Sequence, residues 1–367
     1  MKLELIETYT KGRLCFVRVT DDQGAQGCGM AAPFVANITA LVLHQLAAGV
    51  AFRPINDITT VADEILRHNF KLYGPFLCRA AAGIDTALWD LEAKKKGLSV
   101  AEMAGKVRDT IELYASSRKH DLPVQEEADR LRVIQDRDGY RSFKLHPGIP
   151  VGRDRDFWPN RAEDCVKAVV KALKPGTHLI ADFNGNFSVP RAIEMGRFLY
   201  EQGVQLYEEP CPYWEYEKTK AVQVACADIG IAVAGGEADF IDTTWERMID
   251  MRVMDVCQPD LLYLGGFSRA LRIADYAAKR GLQVTPHTSN KSPIFVMGLH
   301  YMACIANPYP YLEVGIEDED WELEGYAPLV EIKDGRAAVP SAPGWGFTPS
   351  VDFLKSAEYA VSRPKDR

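Results

Sequence analysis

The sequence lacks the motifs and the long apolar runs that mark several large classes of protein. Its eight cysteines form no CxxC pair and have no zinc-finger spacing with a histidine, which is typical of reduced thiols in a cytosolic protein. No GxGxxG or GxxxxGK[ST] phosphate loop is present. The longest apolar stretch, residues 40–52, is interrupted by His44 and Gln45 and is far shorter than the roughly 20 residues that cross a bilayer. These absences argue against zinc fingers, dinucleotide-binding folds and membrane-spanning proteins.

Basic residues are also fewer than acidic residues. The chain has 43 Lys and Arg against 51 Asp and Glu, a formal net charge of −8. This balance argues against binding to nucleic acid or to an anionic membrane surface, both of which need basic residues. The first ten residues alternate like a strand and lack the basic start and apolar core of a signal peptide. We therefore expect a cytoplasmic protein.

The 367 residues, 47% hydrophobic and 26% charged, suit a globular protein of two domains or one large barrel with an attachment. Residues 1–110 read as an α+β domain, with strands at 3–9 and 14–20 and helices at about 36–46 and 79–96. Residues 111–325 alternate between short apolar strands and amphipathic helices, which favours an α/β TIM-type barrel over a doubly wound sheet. The tail, 326–367, is expected to form a return strand at 329–332 and to pack onto the first domain. The predicted barrel strands are 112–115, 142–145, 178–181, 206–207, 232–234, 253–257, 283–285 and 311–314. The predicted barrel helices are 161–173, 190–202, 217–225, 245–250, 268–280 and 294–306.

Three acidic residues follow consecutive predicted strands. Asp182, Glu208 and Glu237 are separated by 26 and 29 residues (208 − 182 and 237 − 208), about one βα unit each. Because chemistry in a barrel collects at the carboxyl ends of its strands, these carboxylates are expected to converge at the barrel mouth. An all-oxygen trio suits a hard cation, and Mg²⁺ is the predicted cofactor.

Two further ionisable residues continue the series. Asp260 and His287 follow the next two strands, at intervals of 23 and 27 residues (260 − 237 and 287 − 260). A carboxylate beside an imidazole orients the ring and favours its cationic form, which prepares a general acid or base. We therefore expect an Asp–His pair next to the metal site.

A candidate base lies at the end of the second barrel strand. Lys144 and His146 are two residues apart, so on a strand they face the same way. Lys144 would either stay cationic and bind a carboxylate or lose its proton and act as the base. His146 is the other candidate for the base, and the sequence leaves the choice open.

These residues resemble the motifs of the enolase superfamily, and within it the mandelate racemase-like group. The resemblance covers nearly the whole chain and rests on Gly83–Leu91, Asp182-Phe-Asn184, Glu208-Glu209-Pro210, Gly236-Glu237, Gln258-Pro-Asp260, Leu264-Gly-Gly266 and His287. It implies a modified (β/α)7β barrel under an α+β capping domain. It also implies a Mg²⁺-assisted abstraction of the proton on the α-carbon of a carboxylate, with a homo-oligomer as the family precedent. By position, Glu313 and Asn184 resemble residues that contact the substrate.

The sequence departs from the family pattern in three places. The usual Lys-x-Lys is Lys144-x-His146 here, which puts simple two-base racemisation in doubt. The first hairpin is short, with only residues 8–12 between its strands, so the mouth is expected to be more open or to be finished by a neighbouring subunit. The acid that usually follows the Gly-x-Gly near this hairpin is replaced in Gly27-Cys28-Gly29-Met30.

The leading hypothesis is dehydration of an acid sugar to a 2-keto-3-deoxy acid. The alternatives are a racemase or epimerase, or a lactone cycloisomerase, that uses the same enediolate. A non-catalytic binding protein on this scaffold is the hypothesis of another class, and the presence of all three acids and the Asp–His pair argues against it. Fold does not fix the substrate, although Arg118, His120, Arg153 and Tyr213 near strand ends are possible contacts with its hydroxyl groups.

Overall fold

The computed structural model describes residues 1–364, and its first domain is a capping domain built on an antiparallel sheet. Its strands are β1 (Leu3–Lys11), β2 (Leu14–Asp21) and β3 (Gln26–Ala31). Its helices are α1 (Ala36–Val42), α2 (Ala48–Ala51), α3 (Val61–His68), α4 (Pro75–Lys96) and α5 (Val100–Met103). A π-helical turn, Leu43–Ala47, joins α1 to α2. The predicted helices at 36–46 and 79–96 are thus present, but the second begins four residues earlier, at Pro75, a residue favoured in the first turn of a helix.

Strand β3 packs its backbone directly against helix α4. A Cβ atom on Gly27 would lie 2.1 Å from the carbonyl oxygen of Ala87, and one on Gly29 would lie 2.3 Å from Thr86 Oγ1. Only glycine fits such a close approach. The Gly27-Cys28-Gly29 segment therefore holds the sheet onto the helix.

Eight parallel strands form the barrel. They are β4 (Thr110–Ser116), β5 (Ser142–Leu145), β6 (His178–Asp182), β7 (Leu206–Glu208), β8 (Ala232–Gly235), β9 (Val256–Cys257), β10 (Gln283–Val284) and β11 (Leu312–Gly315). Each pairs with the next from β4 to β10, and β11 pairs with β4. A parallel bridge between Val284 and Pro308 joins the β10 side to the segment that leads into β11. Buried side chains such as Tyr114, Ile180 and Leu206 fill the interior, so the barrel is a packed core with its polar groups at one end.

Seven helical connections surround the barrel. They are α6 (Val124–Asp138), α7 (Arg161–Ala172), α8 (Val189–Glu201), α9 (Tyr216–Ile229), α10 (Asp242–Met251), the pair α11 (Leu261–Leu264) and α12 (Phe267–Ala278), and α13 (Pro293–Cys304). Seven βα units and a final strand make the modified (β/α)7β barrel, so the predicted fold class is confirmed. Helix α6 was not among the predicted helices, and strand β9 is shorter than the predicted 253–257.

The tail returns to the capping domain, although by a different strand from the predicted one. The short helix α14 (Asp320–Leu323) precedes the tail. The elements of the tail are β12 (Tyr326–Ala327), β13 (Ile332–Lys333), β14 (Arg336–Ala338), β15 (Thr348–Pro349), α15 (Val351–Ser356) and β16 (Glu358–Ser362). Strand β16 pairs antiparallel with β1 and completes the capping sheet. Of the predicted return strand at 329–332, only Ile332 lies in a strand. That strand, β13, is limited to two residues by its pairing with the short β14. The domain boundaries at 110/111 and 325/326 stay a prediction.

The capping domain is joined to the barrel by buried polar contacts. Asp85 of α4 accepts hydrogen bonds from the hydroxyl (2.5 Å) and the backbone N–H (3.2 Å) of Ser268, at the start of α12. The same hydroxyl accepts a hydrogen bond from Trp89 Nε1 at 2.8 Å. Helix α4 is thereby fixed over one side of the barrel mouth.

The first hairpin is tighter than the sequence suggested. Strands β1 and β2 stay paired as far as Lys11 and Leu14, so the turn is only Gly12 and Arg13. The hairpin therefore carries no flap. Within residues 1–364, no helix is both long enough and apolar enough to cross a membrane. All eight cysteines are free thiols, as predicted.

Candidate active site

Three carboxylates meet at the carboxyl ends of consecutive barrel strands. Asp182 ends β6 and Glu208 ends β7, and the two are register partners. Glu237 follows the end of β8 by two residues. One carboxylate oxygen from each of the three lies within 4.8 Å of the others. The strand order thus produces the cluster that the one-unit spacing predicted.

The cluster has the electrostatics of a cation site. Burial raises the pKa of Glu208 well above its usual value; Lys144 opposes this rise, and the charge of Asp182 adds to it. Burial also raises the pKa of Glu237. Glu208 Oε2 is buried and has no hydrogen-bond partner among residues 1–364, which would cost about 1–3 kcal/mol if it were left unsatisfied. The donor set therefore fits a hard divalent cation such as Mg²⁺.

Lys144 lies on the other side of the cluster. Its Nζ is 2.7 Å from Glu208 Oε1, 2.8 Å from Glu313 Oε1 and 3.3 Å from Asp182 Oδ2. Burial works against its ammonium form, but Glu208 and Glu313 raise the pKa of Lys144 well above its usual value. In this arrangement Lys144 is a cation whose three N–H groups all face carboxylates.

His146, the next inward residue after Lys144, presents one nitrogen to the cluster. Its Nδ1 makes a short hydrogen bond with the carbonyl oxygen of Ser117. Because a carbonyl oxygen only accepts, the proton is on Nδ1. Its Nε2 lies 2.9 Å from Asp182 Oδ2, so this nitrogen faces the cluster. The ring of His120 packs behind it, with centroids 4.8 Å apart.

The Asp–His pair forms on the opposite side. Asp260 caps α11, since its Oδ1 accepts from the N–H groups of Leu262 (2.8 Å) and Tyr263 (2.9 Å). Its Oδ2 accepts from His287 Nδ1 at 2.9 Å. His287 Nε2 lies 3.5 Å from Glu237 Oε2. Burial would lower the pKa of His287, but Glu237 and Asp260 raise it to about 10, which favours the imidazolium form that can donate a proton.

The two predicted substrate contacts both lie beside the cluster. Glu313, on β11, accepts from the N–H of Thr288 at 3.0 Å. Burial alone would raise its pKa, but Lys144 lowers the pKa of Glu313 to about 2. Asn184 donates its backbone N–H to Asp182 Oδ1 at 2.9 Å. Its φ of +43° belongs to the left-handed region, which asparagine tolerates better than most residues.

Sequence reasoning missed Glu209, which follows Glu208 directly. It is buried, and its Oε1 has no hydrogen-bond partner among residues 1–364. The Glu209 carboxylate also accepts a hydrogen bond from the side chain of Asn184. Burial, and after it the charge of Glu237, raises the pKa of Glu209 well above its usual value. The pair of acids before Pro210 was the available signal, but adjacent residues on a strand point to opposite faces. Glu209 lies beyond the end of β7 and has a φ of +42°, which takes it out of that alternation.

The four possible contacts with substrate hydroxyl groups have different surroundings. Arg118 is paired with Glu317 and Glu322, so its charge is already satisfied. His120 packs against His146, as described above. Arg153 lies exposed in the loop after β5 with a φ of +56°. Tyr213 packs against Trp214, and both side chains are partly exposed.

Comparison with known proteins fits this geometry. Residues 4–105 match the family described as "Mandelate racemase / muconate lactonizing enzyme, N-terminal domain", and residues 124–353 match "Enolase C-terminal domain-like". The L-talarate/galactarate dehydratase of Salmonella typhimurium is 28% identical over 92% of this chain and 81% of its own. The D-galactarolactone cycloisomerase of Agrobacterium fabrum is 27% identical over 75% and 72%. A crystal structure from Roseobacter denitrificans, provisionally described as a racemase, is 42% identical, covers 99% of this chain and 100% of its own, and superposes with a TM-score of 0.96. The chain belongs to the enolase superfamily and, within it, to the mandelate racemase-like group.

Proposed function

We propose that this protein is a Mg²⁺-dependent lyase that removes water from an acid sugar and releases a 2-keto-3-deoxy acid. The observation that carries the proposal is the arrangement of the mouth. His287, which hydrogen-bonds to Asp260, lies across the carboxylate cluster from a different candidate base. A base on one side of the substrate and an acid on the other can carry out an elimination, because the base removes a proton and the acid supplies one.

Asp182, Glu208 and Glu237 would hold the cation. When bound, Mg²⁺ supplies positive charge for the substrate carboxylate and for the negative charge that grows on it as the α-proton leaves. The partnerless Glu208 Oε2 supports this assignment. Mutual repulsion within the cluster supports it as well, since a cation would relieve it.

His146 is the proposed base. Its Nδ1 is occupied by the Ser117 carbonyl, which orients Nε2 toward the mouth. Lys144, whose N–H groups face three carboxylates, remains an ammonium ion and stabilises negative charge on the substrate. This division assigns the base to the residue that replaces the second lysine of the family pattern.

His287 is the proposed acid. In the elimination, the Cα–H bond breaks and its proton passes to His146. The Cβ–O bond then breaks, and the hydroxyl leaves as water with the proton from His287. The enol that remains tautomerises to the 2-keto-3-deoxy acid. Asp260 positions the ring and favours its charged form before the proton is given up.

An isomerase is the second candidate function. The cycloisomerase of Agrobacterium fabrum and the Roseobacter denitrificans protein described as a racemase support it. An isomerase would begin with the same proton abstraction. His287 would then return a proton to carbon, or a ring bond would break, and no β-hydroxyl would be lost.

Proton NMR in D₂O with Mg²⁺, over a library of mono- and diacid sugars and their lactones, tests the proposal. A new methylene signal at C3 of the product of an open-chain acid would establish dehydration and identify the substrate. Loss of the α-hydrogen signal without a methylene would favour racemisation or epimerisation and overturn the proposal, as would opening of a lactone ring. The absence of any spectral change over the whole library would favour a non-catalytic protein. The His287→Gln variant is the matched control, since it keeps the cluster but removes the acid.

The homo-oligomer expected from the family precedent also stays a proposal. The tight hairpin at Gly12 and Arg13 supports it only in that it leaves the mouth without a flap, which a neighbouring subunit would be able to cover. Light scattering on a size-exclusion column gives the mass directly, and a monomer at micromolar concentration would rule this proposal out.

A further inference from the structure

The start of helix α4 brings the capping domain to the dyad side of the mouth. Cys78 Sγ lies 3.6 Å from the carbonyl oxygen of Phe240, in the loop that follows Glu237. The carbonyl oxygen of Cys78 lies 3.8 Å from where a Cβ atom on Gly265 would be. The next residue along the helix, Arg79, therefore projects among the loops that follow β8 and β9.

Arg79 stacks on an aromatic ring that is tied to the dyad. Its guanidinium carbon is 3.6 Å from the centroid of the Tyr263 ring. The backbone N–H of Tyr263 donates to Asp260, and its ring centroid is 6.1 Å from that of His287. The Arg79 guanidinium carbon is therefore at most 9.7 Å from the His287 ring, the sum of the 3.6 and 6.1 Å distances.

The charge of Arg79 has no anionic partner in the described part of the chain. Two other arginines of the capping domain are paired with carboxylates, Arg18 with Glu7 and Arg67 with Glu64. Arg79 forms no ion pair with a carboxylate within 4.0 Å among residues 1–364. It is half-buried beside the similarly half-buried Tyr263. The Arg79 guanidinium also hydrogen-bonds to the Tyr263 hydroxyl, and its remaining N–H groups can contact a carboxylate.

Arg79 and His287, at most 9.7 Å apart, are within the reach of a six-carbon diacid. His287 protonates the hydroxyl on C3, and the second carboxyl carbon, C6, is three carbon–carbon bonds further on. Three such bonds span about 3.8 Å at most, and one hydrogen bond at each end adds about 2.8 Å, so the chain reaches roughly 9 Å between the two side chains. A monoacid sugar of the same length places only a neutral hydroxymethyl group there.

We propose that Arg79, stacked on Tyr263, binds the distal carboxylate of a six-carbon sugar diacid and so selects diacids over monoacids. This inference rests on the proposed function, because it assumes that the first carboxylate lies at the cluster. It names the substrate class, on which the sequence alone is silent.

Matched pairs of acids that differ only at C6 test the inference: galactarate with galactonate, and glucarate with gluconate. We expect the wild-type kcat/KM to favour the diacid. Arg79→Gln is expected to lower the diacid-to-monoacid ratio about 10- to 100-fold, the range for losing hydrogen bonds to a charged group. Arg79→Lys keeps the positive charge but loses the bidentate geometry of the guanidinium, so it is expected to lower the ratio less. Arg67→Gln removes the same charge from an exposed site in the same domain and is expected to leave the ratio unchanged.

Three results would overturn the inference while leaving dehydration in place. The first is a wild type that prefers the monoacids. The second is an Arg79→Gln variant that keeps the diacid preference, and the third is an Arg153→Gln variant that loses it. If no acid is turned over, the proposed function fails, and calorimetric titration of the same pairs with Mg²⁺ still decides the role of Arg79. Diacid binding that weakens selectively in Arg79→Gln supports the inference, and equal binding of both acids by the wild type overturns it. Thermal unfolding of each variant checks that it is folded.

Discussion

Replacing Asp85 by asparagine is expected to make the protein more stable at high pH. Burial raises the pKa of Asp85 to about 7 from 3.8, while hydrogen bonds from Ser268 oppose the rise. Between these values the unfolded chain has lost the proton that the folded protein keeps, so stability falls as pH rises. A shift of 3.2 units (7 − 3.8) corresponds to about 4 kcal/mol at 1.36 kcal/mol per unit. Asparagine has the same shape, can donate to the Ser268 hydroxyl and accept from its N–H, and does not ionise.

Urea unfolding at pH 5 and pH 8 without Mg²⁺ measures the effect. The free energy of unfolding of Asp85→Asn, minus that of the wild type, is expected to grow by about 3 kcal/mol between the two pH values, because two of those units lie between pH 5 and pH 7. Other titrating groups cancel in this difference. Asp228→Asn, at an exposed position, is the control and is expected to show no such growth. A difference that is the same at both pH values would mean that Asp85 is already ionised in the folded protein, and the reasoning would be wrong.

Three further predictions concern the mouth. Mg²⁺ at about 100 times its Kd is expected to add about 2.7 kcal/mol to the stability of the wild type and close to nothing to that of Glu208→Gln; equal thermal shifts in the two proteins would contradict the metal assignment. Asp260→Asn is expected to lower kcat about 10²- to 10⁴-fold and to lower the pKa of His287, which NMR of the imidazole would record; an unchanged His287 titration would show that Asp260 does not hold the ring charged. Gly236→Ala is expected to destabilise the protein by about 2–4 kcal/mol, since a Cβ atom there would lie 2.4 Å from Trp245 at a φ of +104°; an unfolding midpoint like that of the wild type would refute the packing argument.

The residues of the mouth were predictable because each follows a strand by a fixed rule. A barrel places every strand end at one level, so acids spaced by about one βα unit must converge. That rule located Asp182, Glu208 and Glu237, and it placed Asp260 next to His287, where the structure has a 2.9 Å hydrogen bond. Their chemical roles stay predictions.

The features that were missed depend on partners distant in sequence or on weak local patterns. Helix α6 is rich in charged residues, with only a few buried positions such as Leu131 and Ile134, so its apolar stripe is faint. Strand β16 has mostly exposed side chains and is a strand because β1 offers it hydrogen bonds. Arg79 lies in the first turns of a helix of the other domain, and nothing in the sequence near Tyr263 indicates that the two stack.

The pairing of β16 with β1 also sets the order in which the protein can be completed during synthesis. Ile6 pairs with Ser362, and at about 5–20 residues per second the ribosome needs roughly 20 to 70 s to make the chain between them. Throughout that time one edge of the capping sheet lacks its neighbour, and every strand of the barrel is made before β16. The capping domain is therefore the last part of this protein to be finished, even though it contains the first residues to be made.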